Sequence, residues 1–269
     1  LALLCGERIA QARTLLNTID APLPDLRYAH LLGRQFNGEG ATLQPDWAAL
    51  VAAETHAGRL PEAACALNEQ IANLNVIGRH HDAYTLAHEA AAVLAAHGAP
   101  ADLARYHHVR GVAAGGSGRL AEAFAELDRA EAAFRALRRP VDVARVRFER
   151  SWMYQRREDA AAAHAELEAA LAVFQRFDLP LRIAFCRKDL ALSACLRGEY
   201  SAALAHIAQA RTTAMAYERR DLLAYCEHHL GLVAHYSGLW DLALAAYARA
   251  EAFYSERGQE RLRLICVRN

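Results

Sequence analysis

Apolar residues recur along this chain at helical spacing, in segments separated by Gly or Pro. Residues three and four apart share one face of an α-helix, so each segment predicts an amphipathic helix with one apolar stripe. Two such stripes are Leu120, Ala123, Phe124, Leu127, Ala130 and Phe134, and Trp240, Ala243, Leu244, Tyr247, Ala250 and Phe253. We expect both stripes to face the core.

The helix-breaking residues repeat with a period of 40. Gly78, Gly118, Gly198 and Gly238 share one phase, with Glu158 in the missing place and Gly38 as an earlier member; Pro100, Pro140 and Pro180 lie half a period away. This spacing predicts two helices per repeat, the first beginning near Pro and the second following Gly. Ala83, Ala123, Ala163, Ala203 and Ala243 share one repeat position, as do Cys186, Cys226 and Cys266, and we expect both sets to fill small buried slots.

The repeated pattern of small and large residues resembles a tetratricopeptide repeat. It is clearest in Leu230, Gly231, Gly238, Trp240, Ala243, Tyr247 and Ala250, and it returns in Gly111, Gly118, Leu120, Ala123, Leu127 and Ala130. The resemblance covers about residues 46 to 258 and implies an all-α fold, a right-handed α-solenoid of antiparallel helix pairs. The period exceeds that of the standard repeat, which has about 34 residues. Such long repeats resemble those attached to bacterial caspase-like proteases of the CHAT class and to LuxR-type regulators that couple an ATPase to DNA binding.

Three regions are predicted. Residues 1–45 form irregular helical repeats with a loop, residues 46–258 form the helix-pair array, and residues 259–269 begin a further helix. Gly58 stands half a period from Gly78, which predicts either a lost helix or a shift of phase there. Repeat arrays normally end on a polar capping face, whereas Leu264 and Val267 continue an apolar stripe, so we expect a piece of a longer protein with uncapped ends that could self-associate.

Charge and composition narrow the class of partner. Lys plus Arg and Asp plus Glu both number 31, so there is no net positive charge to attract nucleic acid or a membrane surface. No apolar run is long enough to span a membrane. The chain is therefore predicted to be cytoplasmic, with neither nucleic acid nor membrane as a direct partner.

Catalytic and cofactor motifs are missing from the sequence. Adjacent histidines such as His80 and His81 diverge on a helix and cannot chelate one metal together, and no zinc, nucleophile or phosphate-loop motif is present. The glycine-rich stretch 114–118 is interpreted as helix termination. We predict no enzyme activity, no metal and no cofactor in this chain.

The resemblance implies that the first helix of each repeat lines a concave groove, and the period assigns side chains to it. The predicted groove residues are Arg105, His108, Arg145, Phe148, Glu149, Trp152, Gln155, Arg156, Lys188, Asp189, Tyr225, His228 and His229. Arg and aromatic side chains contribute much of the energy at protein interfaces, so a protein or peptide is the predicted ligand. The alternative is that Phe148 and Trp152 belong to the core and the charges are only solvated.

The resulting hypothesis is a protein- or peptide-binding scaffold that serves as the sensor or docking region of a larger bacterial protein. Two alternatives stay open: a structural oligomerisation scaffold, and the regulatory part of a multidomain enzyme such as a CHAT-class protease.

Overall fold

The computed structural model describes residues 24–36, 39–256 and 260–268. In these ranges the chain forms thirteen α-helices, one short 3-10 helix at Gly40–Thr42 and no strand, which confirms the predicted all-α class. The helices are α1 Pro24–Phe36, α2 Gln44–His56, α3 Leu60–Val76, α4 His80–His97, α5 Pro100–Gly116, α6 Leu120–Ala136, α7 Pro140–Arg156, α8 Ala160–Arg176, α9 Pro180–Leu196, α10 Tyr200–Ala216, α11 Arg220–Tyr236, α12 Trp240–Glu256 and α13 Glu260–Arg268.

The helices alternate between two kinds, which we call A helices (odd-numbered) and B helices (even-numbered). Two compact units divide the chain, Leu1–Met153 and Tyr154–Asn269. In the first unit α5 packs against both α4 and α6, and the A helices α3 and α5 also touch each other. In the second unit α11 packs in the same way against α10, α12 and the preceding A helix α9. Each unit is therefore a solenoid of helix pairs.

Most helices end on a residue with left-handed backbone. Gly58, Gly78, Gly118, Gly198 and Gly238 have φ between 71° and 84°, whereas Arg138, Glu158, Asp178 and Glu218 adopt φ between 49° and 60° without the freedom of glycine. A left-handed residue after the helix lets the following amides bond the last carbonyls, as Arg119 N does with Ala114 O at 2.9 Å. From α5 to α11 such a turn therefore follows every helix, twice per predicted repeat, whereas Gly98 after α4 has φ of -72°.

This half-period spacing of the turns changes the interpretation of Gly58. Gly58 follows α2, which is a B helix. It stands one full period before Gly98 and two full periods before Arg138, and these two residues follow the B helices α4 and α6. Neither a lost helix nor a phase shift is present, so both predicted alternatives were wrong. The earlier position Gly38 lies outside the described residues.

Small buried residues hold the helices together. The five equivalent alanines, Ala83, Ala123, Ala163, Ala203 and Ala243, are at most 3% exposed, and Cys186, Cys226 and Cys266 are at most 5% exposed. Both predicted slots are therefore confirmed. Burial also raises the pKa of the Cys226 thiol to about 12, which keeps it protonated and unreactive at neutral pH.

One local prediction is corrected by the packing. Trp240 and Leu244 are 59% and 70% exposed, so these two members of the predicted α12 stripe do not reach the core. In contrast, Ala243, Tyr247 and Ala250 are buried, and the half-buried Phe253 packs against the cluster that contains Ala250. The equivalent Leu120 and Phe124 of α6 are half-buried because they pack against neighbouring side chains.

The glycine stretch 114–118 ends α5 as predicted, and two of its glycines also serve packing. Gly115 and Gly116 are the last two residues of α5, and the turn follows them. A Cβ at Gly115 would come within 2.1 Å of Met153 Sδ, and one at Gly116 within 2.1 Å of the His80 ring. These glycines permit close approach of side chains, and only Gly118 makes the turn.

Candidate functional site

The predicted groove residues all lie on A helices but differ in accessibility. Arg156 is exposed, and three residues are buried: His108, Lys188 and His229. The half-buried members are Arg105, Arg145, Phe148, Glu149, Trp152, Gln155, Asp189, Tyr225 and His228. The first six groove residues belong to the first unit and the remainder to the second, so the two sets are described separately.

In the first unit Arg105 of α5 is held by the neighbouring A helix. Its Nε and Nη2 donate to the two carboxylate oxygens of Glu69 on α3, at 3.1 and 3.2 Å, and its Nη1 lies 3.3 Å from His108 Nδ1. Such a two-pronged arginine–carboxylate contact fixes the plane of the guanidinium group. Arg105 is therefore a pre-oriented cation whose charge Glu69 already balances.

Among the predicted α7 residues of the first unit, one forms an ion pair and others pack. Arg145 Nη1 contacts Asp142 Oδ1 at 3.4 Å, and Phe148 is half-buried. Trp152 packs against the apolar cluster of the unit, and its ring centroid lies 5.8 Å from that of His80. Trp152 is therefore a half-buried side chain that packs on the core of the unit.

In the second unit four predicted residues come together across α9 and α11. Lys188 Nζ donates to Asp189 Oδ1 and lies 5.7 Å from the centre of the Tyr225 ring. His229 Nδ1 donates to the Tyr225 carbonyl at 2.8 Å, and its Nε2 lies 3.9 Å from Asp189 Oδ1. We call Lys188, Asp189, Tyr225 and His229 the α9/α11 cluster.

Burial and charge keep the histidines beside this cluster neutral. Burial lowers the pKa of His228 to about 4, and the Lys188 ammonium adds to the effect. Burial, Lys188 and His228 lower the pKa of His229 well below its usual range. A neutral His229 that carries its proton on Nδ1 presents Nε2 as a hydrogen-bond acceptor.

The sequence-based groove omitted the buried carboxylates that pair with basic side chains of α5. Glu69 balances Arg105, and Glu126 of α6 lies 2.6 Å from His107 Nδ1. Burial raises the pKa of Glu126, but the His107 hydrogen bond and the charge of Arg110 outweigh it and lower the pKa overall. Glu69 could have been found, since it stands one full period before Val109, in the repeat position that Asp189 and His229 also occupy.

Neither a metal site nor a membrane span appears in the described ranges. No group of three or more His, Cys, Asp or Glu side chains there could hold a metal ion. Within the same residues, every helix is too short or too polar to cross a membrane.

The sequence matches no protein-family profile and no curated protein. Its fold, in contrast, is shared with solved repeat proteins. A Rap protein complexed with competence and sporulation factor matches with TM-score 0.62 at 14% identity, over 97% of this chain and 77% of that one. The signal transduction ATPase of Pyrococcus horikoshii, which has a tetratricopeptide repeat sensor, matches with TM-score 0.59 at 10% identity, over 97% and 42%.

A third similar structure is a protein of Podospora anserina with nearly identical TPR-like repeats of the kinesin light chain type. It matches with TM-score 0.55 at 15% identity, over 74% of this chain and 98% of that one. The chain therefore has the fold of tetratricopeptide-like helical-repeat proteins.

Proposed function

We propose that this chain is a non-catalytic scaffold that binds a protein or peptide along the accessible faces of its A helices. The observation that carries the proposal is the α9/α11 cluster, in which two successive A helices present a cation, a carboxylate, an aromatic ring and a histidine side by side. Mixed polar and aromatic surfaces of this kind suit peptide recognition. One of the similar structures, a Rap protein, is described in complex with competence and sporulation factor.

The proposal also covers the larger protein to which this chain would belong. A sensor or docking region of a larger bacterial protein in the cytoplasm fits the resemblance to long repeat arrays, and the Pyrococcus horikoshii ATPase carries its repeats as a sensor. The chemical step, if the whole protein has one, would then belong to another region.

The test is a selection of peptides from a random displayed library against this chain. Truncation of Lys188 and Asp189 to Ala should weaken the selected peptides at least about tenfold, the effect of losing one interface anchor, and Arg145→Ala tests the first unit separately. Gln209→Ala on the exposed face of α10 is the matched control. Selected peptides that tolerate all these groove variants would rule out the A-helix face.

A scaffold that self-associates is the second candidate, because several apolar side chains on α12 and α13 are exposed. Leu242, Leu244, Leu264 and Val267 are 37%, 70%, 51% and 60% exposed. Leu264 and Val267 are three residues apart and share one face of α13, and exposed apolar side chains that group together often mark an interaction site. Sedimentation should then show concentration-dependent oligomers that Leu264→Gln and Val267→Gln suppress and that Lys188→Ala leaves intact; a monomer at every concentration contradicts this candidate.

A further inference from the structure

The α9/α11 cluster offers hydrogen-bonding groups in an order that selects one ligand chemistry. Resting on the proposed function, we infer that it binds a primary carboxamide, the side chain of Asn or Gln in a partner peptide. The inference depends on three neighbouring groups: the Lys188 ammonium, the Asp189 carboxylate and His229 Nε2.

His229 Nε2 and Asp189 Oδ1 are both acceptors at neutral pH. The Tyr225 carbonyl only accepts, so the 2.8 Å contact places the His229 proton on Nδ1 and leaves a lone pair on Nε2. Two acceptors 3.9 Å apart cannot bond each other, but one nitrogen with two hydrogens can reach both at ordinary hydrogen-bond lengths. The two acceptors therefore favour a ligand that carries an NH2 or NH3 group.

Lys188 decides between these donors. Its ammonium group has three N–H donors. One of them donates to Asp189, and the ammonium also lies beside the Tyr225 ring. A ligand ammonium or guanidinium group would be repelled by the charge of Lys188 and would offer no hydrogen-bond acceptor to it. A ligand carboxylate would accept from Lys188 but would place its second oxygen against Asp189 and the His229 lone pair.

A primary carboxamide meets all three groups at once. Its oxygen accepts from Lys188, the N–H on the same side as that oxygen donates to Asp189, and the other N–H donates to His229. A peptide-bond amide cannot do this, because in the trans form its single N–H points away from its oxygen. The cluster thus favours an Asn or Gln side chain over the peptide backbone and over both kinds of charged side chain.

The experiment compares four capped tripeptide probes with the full chain, whose histidine rings are isotope-labelled for NMR. The probes are acetyl-Gly-X-Gly-N-methylamide with X as Gln, Glu, Lys or side-chain N-methylated Gln. The Gln probe should shift the His229 ring signals saturably, and the other three should bind at least about tenfold more weakly, the effect of losing one hydrogen bond in a partly buried site.

Variants locate the effect. His229→Phe and Lys188→Met should each reduce binding of the Gln probe about tenfold, and His235→Phe, an exposed histidine on the same helix, should leave it unchanged. The inference is overturned if the Glu or Lys probe binds the cluster as tightly as the Gln probe, although peptide binding would then stand. It is also overturned if the Gln probe shifts no cluster signal at millimolar concentration, whatever the peptide selection yields.

Discussion

At the scale of single residues, the turns between helices share a left-handed backbone conformation whose energetic cost differs from residue to residue. Glycine reaches positive φ at no steric cost, whereas a side chain there crowds its own backbone. Glu158, with φ of 60°, occupies the turn position where other A helices are followed by Gly118, Gly198 and Gly238. The turn after α7 therefore forms against a local backbone preference.

Replacing Glu158 with Gly should stabilise the chain. Relief of the left-handed strain, about 1–2 kcal/mol, exceeds the extra flexibility that glycine gives the unfolded chain, so we expect a net gain of about 0.5–1 kcal/mol. The measurement is the free energy of unfolding in urea. Gly118→Ala, the reverse change at the equivalent turn, should lose about 1 kcal/mol; a Glu158→Gly variant no more stable than the parent would disprove the strain.

At the scale of helices, the starts and ends were the most predictable features, since Pro marks the start of a helix and Gly the turn after one. Pro100, Pro140 and Pro180 begin α5, α7 and α9 as predicted. The left-handed backbone of Arg138, Asp178 and Glu218 at the ends of B helices could not be foreseen, because these residues have no preference for positive φ. Glycines used for close packing could not be told from turn glycines, since that role depends on a partner distant in sequence.

Gly231 in α11 shows such a packing role. A Cβ there would lie 2.5 Å from Cε1 of Tyr247, a buried side chain on α12. Ala is the better helix former by about 1 kcal/mol, but overpacking a tight contact costs about 1–3 kcal/mol. Subtracting the gain in helix propensity from the packing cost, we expect Gly231→Ala to destabilise the chain by up to about 2 kcal/mol in thermal or urea unfolding.

Two further variants separate the clash from helix propensity. Thr212→Ala, on the exposed face of α10, should be neutral or slightly stabilising. Gly231→Ala combined with Tyr247→Leu should cost less than the sum of the single changes, because the shorter side chain makes room for the Cβ. Additive losses would show that the Tyr247 ring is not what excludes a side chain at position 231.

For the molecule as a whole, the sequence predicted the A-helix face but not its charge balance. The repeat period correctly put Lys188, Asp189, Tyr225 and His229 on successive A helices, and two of these helices do bring them into contact. The period could not reveal that Glu69 binds Arg105 or that Trp152 packs on His80, since both pairings depend on side-chain conformation. The groove itself stays a proposal.

The pKa values of His164, His206, His228 and His229 in the second unit are lowered by burial, which predicts that acid destabilises this unit first. His228 has a folded-state pKa of about 4, below the ordinary value of about 6.5. Between these values the unfolded chain takes up a proton that the folded chain does not, so stability is complete above about pH 6.5 and declines as the pH falls toward 4. At pH 5 the expected loss from His228 is about 2 kcal/mol.

Hydrogen exchange followed by mass spectrometry at pH 7.5 and pH 5, corrected for intrinsic rates, can assign this loss to a region. Peptides from α11 should lose protection at pH 5, while peptides from α6 keep theirs, because the buried carboxylates Glu126 and Glu131 of α6 have lowered pKa values and stay ionised there. His228→Gln, which cannot titrate, should reduce the acid effect in α11, and the exposed His235→Gln should not. Equal loss of protection in both units, or a His228→Gln variant with the parent's pH dependence, would show that the acid response arises elsewhere.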